Sequence, residues 1–159
     1  MIRLSLAAGA AALALLAGCA TTGTPATVVD TTARAPQLSK LNKLIADAGL
    51  ADTLKGPGPY TVFAPSDEAF KAVPAKTLAD LSADKARLKE LLSYHVLPGK
   101  VGAADVKNGT AKTVQGANLS LGKAGSYVTV EDAMVTQADL GAANGVVHVI
   151  DRVLMPPKK

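Results

Sequence analysis

Nine consecutive residues near the C-terminus, Val146-Val147-His148-Val149-Ile150-Asp151-Arg152-Val153-Leu154, leave this chain few ways to fold. Read as a strand, the segment puts apolar side chains on both alternating faces, so its middle needs cover on both sides. Asn144-Gly145 supplies a turn before it, and Pro156-Pro157 stops it. The rest of the chain must therefore provide neighbouring strands and a packing layer. With no Trp, three Tyr and two Phe, that layer has to be built from Val, Leu, Ile and Ala.

The layer is visible upstream. Leu38, Leu41, Leu44, Ile45 and Ala48 recur at helical spacing, and Gly49 supplies a stop. The spacing predicts a short strand over 60–64. Ser66 then caps a helix over 67–72, with Asp67 and Glu68 at its positive end. Further helical pieces are expected over 76–81 and from Ser82 or Asp84 to Leu92, the last turning Leu88, Leu91 and Leu92 inward. Residues 94–97 return to strand. Short β segments follow at 110–114, 119–121, 127–130 and 134–137, separated by glycines. The expected class is α+β, with helices concentrated in the first half and a small antiparallel sandwich or barrel in the second.

The N-terminus reads differently. Arg3 precedes an apolar run from Leu4 to Ala17 that is too short to span a bilayer comfortably and ends in small residues. Leu16-Ala17-Gly18-Cys19 resembles a bacterial lipoprotein box, which implies cleavage after residue 18 and lipid on the Cys19 thiol. Two or three acyl chains anchor firmly where one would not. Cys19 is the single cysteine, so no disulfide forms within a monomer, which is the expected state. Ala20 stands where an Asp usually retains such proteins at the inner membrane, pointing to the outer membrane where one exists. Residues 19–35, rich in Thr and Ala without a helical or strand period, are expected to be a flexible tether.

Charge and motifs exclude several classes. The net charge of +4 is scattered, with no basic stripe or stacking aromatics for nucleic acid. No His-Glu-x-x-His, Cys cluster or acidic calcium loop suggests a metal, no nucleophile elbow suggests a hydrolase, and no cofactor motif is present.

Three stretches together resemble the fasciclin domain family: Thr61-Val62-Phe63-Ala64-Pro65-Ser66-Asp67-Glu68-Ala69-Phe70, Tyr94-His95-Val96-Leu97-Pro98-Gly99, and Asn144-Gly145 through Pro156. They occur in the family's order and cover residues 36–157 as one domain. The resemblance implies a compact β-sandwich or barrel wedge with several helices packed against it. It also implies a role in adhesion, through protein or glycan partners at the cell surface or matrix. Animal members carry an Asp-Ile pair before the last signature, tied to integrin binding; Asp139-Leu140 stands at that place, with Leu for Ile.

Most signature residues also have a folding role. Pro65 and Ser66 end a strand and start a helix, and Phe63 and Phe70 are expected core anchors. His95, beside Tyr94, reads either as a ligand-contacting or pH-sensitive group or as a hydrogen-bonded structural imidazole, with the second preferred. His148 shares an apolar strand face and reads as a satisfied core histidine. Asp139 and Leu140 are either an exposed contact pair on a loop or a turn cap and a tucked side chain; contact is narrowly preferred. The functional expectation is a lipid-anchored interaction module. The alternative is an envelope carrier of a small apolar ligand, and an envelope hydrolase ranks below both.

Overall fold

The computed structural model describes residues 26–157. The expected signal peptide, Cys19 and the first part of the expected tether lie outside them. Among the described residues no helix is long and apolar enough to cross a membrane.

The helical half begins earlier than the sequence suggests. Helix α1, Val28–Arg34, is closed by a capping box: the Thr27 hydroxyl accepts from the Asp30 N–H while the Asp30 carboxylate accepts from the Thr27 N–H at 2.9 Å. Val28 is 1% exposed and belongs to the core. The expectation of a flexible tether through residue 35 is therefore corrected from residue 26 onward. The segment lacks a long period because seven residues bury only Val28 and Thr32. A 3-10 turn, Pro36–Leu38, leads into α2, Ser39–Asp47, which ends at Gly49 with φ +67°. α3, Ala51–Leu54, is too short to show a period. α4, Asp67–Lys71, is capped by Ser66, whose Oγ accepts from Ala69 N–H at 3.2 Å. α5 spans Ala75–Ala83. α6, Lys85–Tyr94, starts at Asp84, whose carboxylate accepts from the Ala86 and Arg87 N–H groups.

Seven strands form one sheet: β1 (Tyr60–Pro65), β2 (Val96–Pro98), β3 (Gly109–Lys112), β4 (Asn118–Ala124), β5 (Tyr127–Val130), β6 (Ala133–Ala142) and β7 (Gly145–Ile150), in the order β2-β1-β7-β6-β5-β4-β3. The pairing is antiparallel except between the second and third strands of this order, where β1 and β7 run parallel from Tyr60↔Gly145 to Pro65↔Ile150. The second-half strands β3 to β7 pair antiparallel as expected; what the sequence did not show is that β1 and β2 extend their sheet, with β1 parallel to β7. The sheet curls until Val114 N–H donates to Val96 O at 2.9 Å, which links the ends of the order into a nearly closed barrel.

The doubly apolar run of β7 now has its reason. Val147 and Val149, with Val62 and Ala64 of β1, join Leu38, Leu41, Ile45, Leu88 and Leu92 in the core between sheet and helices. Ile150, with Phe63, joins Leu97, Leu119, Val130 and Leu154 inside the barrel. β7 stops at Ile150 rather than running to Leu154. There Asp151 exchanges two bonds with Met134, its N–H donating to Met134 O at 3.1 Å and its carboxylate accepting from Met134 N–H at 2.8 Å, and the chain turns. Leu154 is buried without being in a strand. Gly145 is required where β7 meets β1, because a Cβ there would collide with the backbone oxygen of Tyr60.

Candidate functional site

β6 is bulged. Leu140 pairs with Val147 and Gln137 with Val149, so Ala138 and Asp139 together face the single residue His148. Asp139 takes φ +57°, a conformation Asp tolerates better than most side chains. The bulge leaves the Asp139 N–H without a strand partner, and the His148 ring accepts it at Nδ1, at 3.1 Å. Nε2–H of the same ring donates to Val101 O at 2.7 Å. His148 also stacks on Phe63 with ring centroids 5.7 Å apart.

The same point fastens the long 99–108 connection between β2 and β3. The Asp139 carboxylate accepts from Ala103 N–H at 2.8 Å. The buried Thr61 hydroxyl donates to Gly99 O at 2.7 Å and accepts from Val101 N–H at 2.8 Å. Lys123 Nζ donates to Ala104 O at 2.8 Å. Asp139 and Leu140 therefore lie within a strand, not on the exposed loop expected from sequence. Asp139 is exposed but holds the 99–108 connection, and Leu140 is half-buried against the helix-side core. Leu140 leans on the core as the second alternative expected, whereas Asp139 caps no local turn and ties a remote segment instead. The sequence pattern concealed it because a bulge breaks the two-residue alternation.

The Tyr94-His95 pair sits where α6 gives way to β2. Tyr94 closes the helix and is not in the strand as expected. Its hydroxyl lies 3.3 Å from Asn118 O and 3.4 Å from Glu131 Oε1. Burial, then the Glu131 charge, pushes the phenol up from its ordinary pKa. His95 is 1% exposed. Nδ1–H donates to Leu91 O at 2.8 Å, and Nε2 accepts from Leu154 N–H at 3.0 Å. Desolvation pushes its pKa down to about 4, against a smaller upward pull from the Leu91 carbonyl. The two histidines are thus neutral imidazoles in opposite tautomers, each with one nitrogen donating and one accepting. Neither ring has a nitrogen left to serve as a base toward a substrate.

Asn144 joins three parts of the fold. Its Oδ1 accepts from Val28 N–H at 2.8 Å, its Nδ2 donates to Leu54 O at 2.7 Å and Gly56 O at 2.9 Å, and its carbonyl accepts from Tyr60 N–H at 2.9 Å. Asp67 does more than serve its own helix. Its carboxylate accepts from the Ser39 hydroxyl at 2.6 Å and Lys40 N–H at 2.9 Å, capping α2. Phe63 and Phe70 are both buried, and Pro65 ends β1. Among the described residues no three metal-ligating side chains cluster. Sequence reasoning missed Thr61, and missed Thr27 although Thr27-x-x-Asp30 is a legible capping pattern.

Among the described residues a nearly closed seven-stranded sheet with six helices around it, its three signature stretches spent on junctions, defines a compact α+β domain. Residues 36–156 match the fasciclin domain, and the chain belongs to that family. It is 40% identical over 140 residues to protein sll1483 of Synechocystis sp., covering 87% of this chain and 78% of that protein. It is 41% identical over 127 residues to the cell surface glycolipoprotein MPB83 of Mycobacterium bovis, covering 77% of this chain and 57% of that protein. In structure it resembles the FAS1 domain pair of the insect cell adhesion molecule fasciclin I, with a TM-score of 0.65 at 19% identity over 82% of this chain and 51% of that one. That likeness concerns the fold.

Proposed function

We propose that the protein is an exported lipoprotein, acylated at Cys19, that presents its fasciclin domain at the cell envelope to bind a protein or glycan partner. The observation that carries this reading is the joint presence of an ordered leader ending in Leu16-Ala17-Gly18-Cys19 and a complete fasciclin domain directly behind it. The likeness to a cell surface glycolipoprotein supports it. The commitment of both imidazoles to the fold supports binding over hydrolysis. α1 refines the geometry. Residues 20–26 are all that separate Cys19 from the helix cap, and seven residues reach at most about 25 Å. The domain then sits close to the membrane rather than on a long stalk. Placement in the outer membrane, where there is one, follows from Ala20 after the Cys.

The test is metabolic labelling with a fatty-acid analogue, followed by recovery of envelope and matrix partners on the anchored chain. Cys19→Ser should abolish label and release the protein from membranes. Equal labelling of both chains would overturn the anchor.

A further inference from the structure

A groove of about 800 Å³ runs between α5, α6, the segment after β3 and the chain following β7. Leu81 and Met155 line it with apolar surface, and Met155 is 46% exposed. Asp80 and Glu90 stand on it as carboxylates without an ion-pair partner among the described residues. Its one lining cation among the described residues, Arg87, is already taken by Asp84 at 3.3 Å. Lys76, Lys85 and Lys89 belong to the same two helices but do not line it. On a chain of net charge +4, this is an acidic trough. A second observation points the same way: Gln115 lines the groove, and its Oε1 is buried with no hydrogen-bond partner among the described residues. An orphaned buried acceptor costs free energy that an incoming donor recovers. The two free carboxylates and this carbonyl therefore each take a donor or a cation.

The shape selects among such occupants. A small ligand is usually enclosed over most of its surface. Here Asp80, Glu90 and Met155 are all exposed, so the trough is open along its rim. An open apolar floor flanked by carboxylates fits an extended chain that lays apolar side chains down and reaches the acids with an ammonium group.

We propose that this groove binds an extended, lysine-bearing segment of a partner protein. The proposal rests on the reading of the domain as an interaction module and names the chemistry of its partner. Asp80 and Glu90 give the attraction and its salt dependence. Met155 and Leu81 take the apolar side chains, and Gln115 Oε1 accepts from a donor of the bound segment.

The experiment uses the full chain in detergent and two fluorescent capped peptides, a doubled leucine-proline-lysine sequence and its counterpart with glutamate for lysine. Fluorescence anisotropy should show binding of the lysine peptide alone, weakened severalfold by raising salt to about 0.5 M. Asp80→Asn with Glu90→Gln should reduce affinity by about tenfold or more at an unchanged melting temperature. Gln115→Leu, which removes the orphaned carbonyl, should leave the melting temperature equal or higher while also weakening the peptide. Equal binding of the two peptides, or undiminished affinity of the double variant, would overturn the proposal. So would a dimer that Met155→Asp dissociates, or a small molecule found in the groove by native mass spectrometry. If a recovered envelope partner still binds the double variant, the groove assignment fails and the interaction module stands. If Cys19→Ser is labelled equally but the peptide binds as described, the anchored reading fails and the groove assignment stands.

Discussion

His95 makes the fold measurably sensitive to acid. Its ring is buried, donates a hydrogen bond to Leu91 O and accepts one from Leu154 N–H, so a second ring proton would meet the Leu154 N–H head-on. Burial holds the folded pKa at about 4, against 6.5 for the free side chain. Between those values the unfolded chain binds a proton that the folded chain refuses. Stability from this residue is therefore complete above pH 6.5. It declines by about 1.4 kcal/mol per unit as pH falls, and stops declining near pH 4. The difference of 2.5 units corresponds to about 3 kcal/mol. Urea unfolding of wild type and His95→Gln at several pH values from 7.5 to 4.5 isolates it, because the rest of the chain is shared. Gln also offers one donor and one acceptor but does not titrate. Its stability at pH 7.5 should be lower, and its loss on going to pH 4.5 smaller than that of wild type by about 2.5 kcal/mol. Parallel pH profiles for the two chains would refute the argument.

Three further outcomes are expected. Starting the chain at residue 36 instead of 26 should cost about 3 kcal/mol in urea unfolding, since it exposes the site of Val28 and leaves Asn144 Oδ1 and Ala143 N–H without partners. Asn144→Ala should cost about as much, with Val28 N–H, Leu54 O and Gly56 O all losing their partner, and the same titration reads it. Asp139→Ala with Leu140→Ala should lower stability by about 2 kcal/mol or more, and hydrogen exchange should show amides of the 99–108 connection opening first. Adhesion lost at unchanged stability would restore these two residues as a contact pair.

Helix positions were legible in the sequence wherever a repeated period or a side-chain cap announced them. Ser66 and Asp84 cap the helices expected of them, and Leu88, Leu91 and Leu92 turn inward as their spacing requires. The doubly buried β7 was legible for the same reason, since a run apolar on both faces has no other use. What the sequence could not show is who covers whom. The partner of β7 is β1, some eighty residues away, and nothing local in Tyr60–Pro65 names a parallel neighbour. The bulge at Asp139 was hidden by the same non-locality. Its unpaired N–H makes sense only once His148 stands opposite, and its carboxylate only once Ala103 arrives from a third segment.

The polar residues of the three signature stretches, with Asp139 just before the last, thus converge on one task. His95 ties the tail after β7 to the end of α6, His148 and Asp139 tie the 99–108 connection to β6, and Asn144 ties α1 and the loop after α3 to the β6–β7 turn. Each is a polar side chain closing a junction that apolar packing alone leaves open. A scaffold whose signature polar residues are consumed in this way leaves the polar part of recognition to residues outside the signatures. In this chain the free carboxylates and the orphaned carbonyl lie there, on α5, α6 and the turn after β3. The family resemblance identifies the fold because it reads the junctions; of the groove it reads Met155 and Pro156 but not the carboxylates, and so it is silent on the partner.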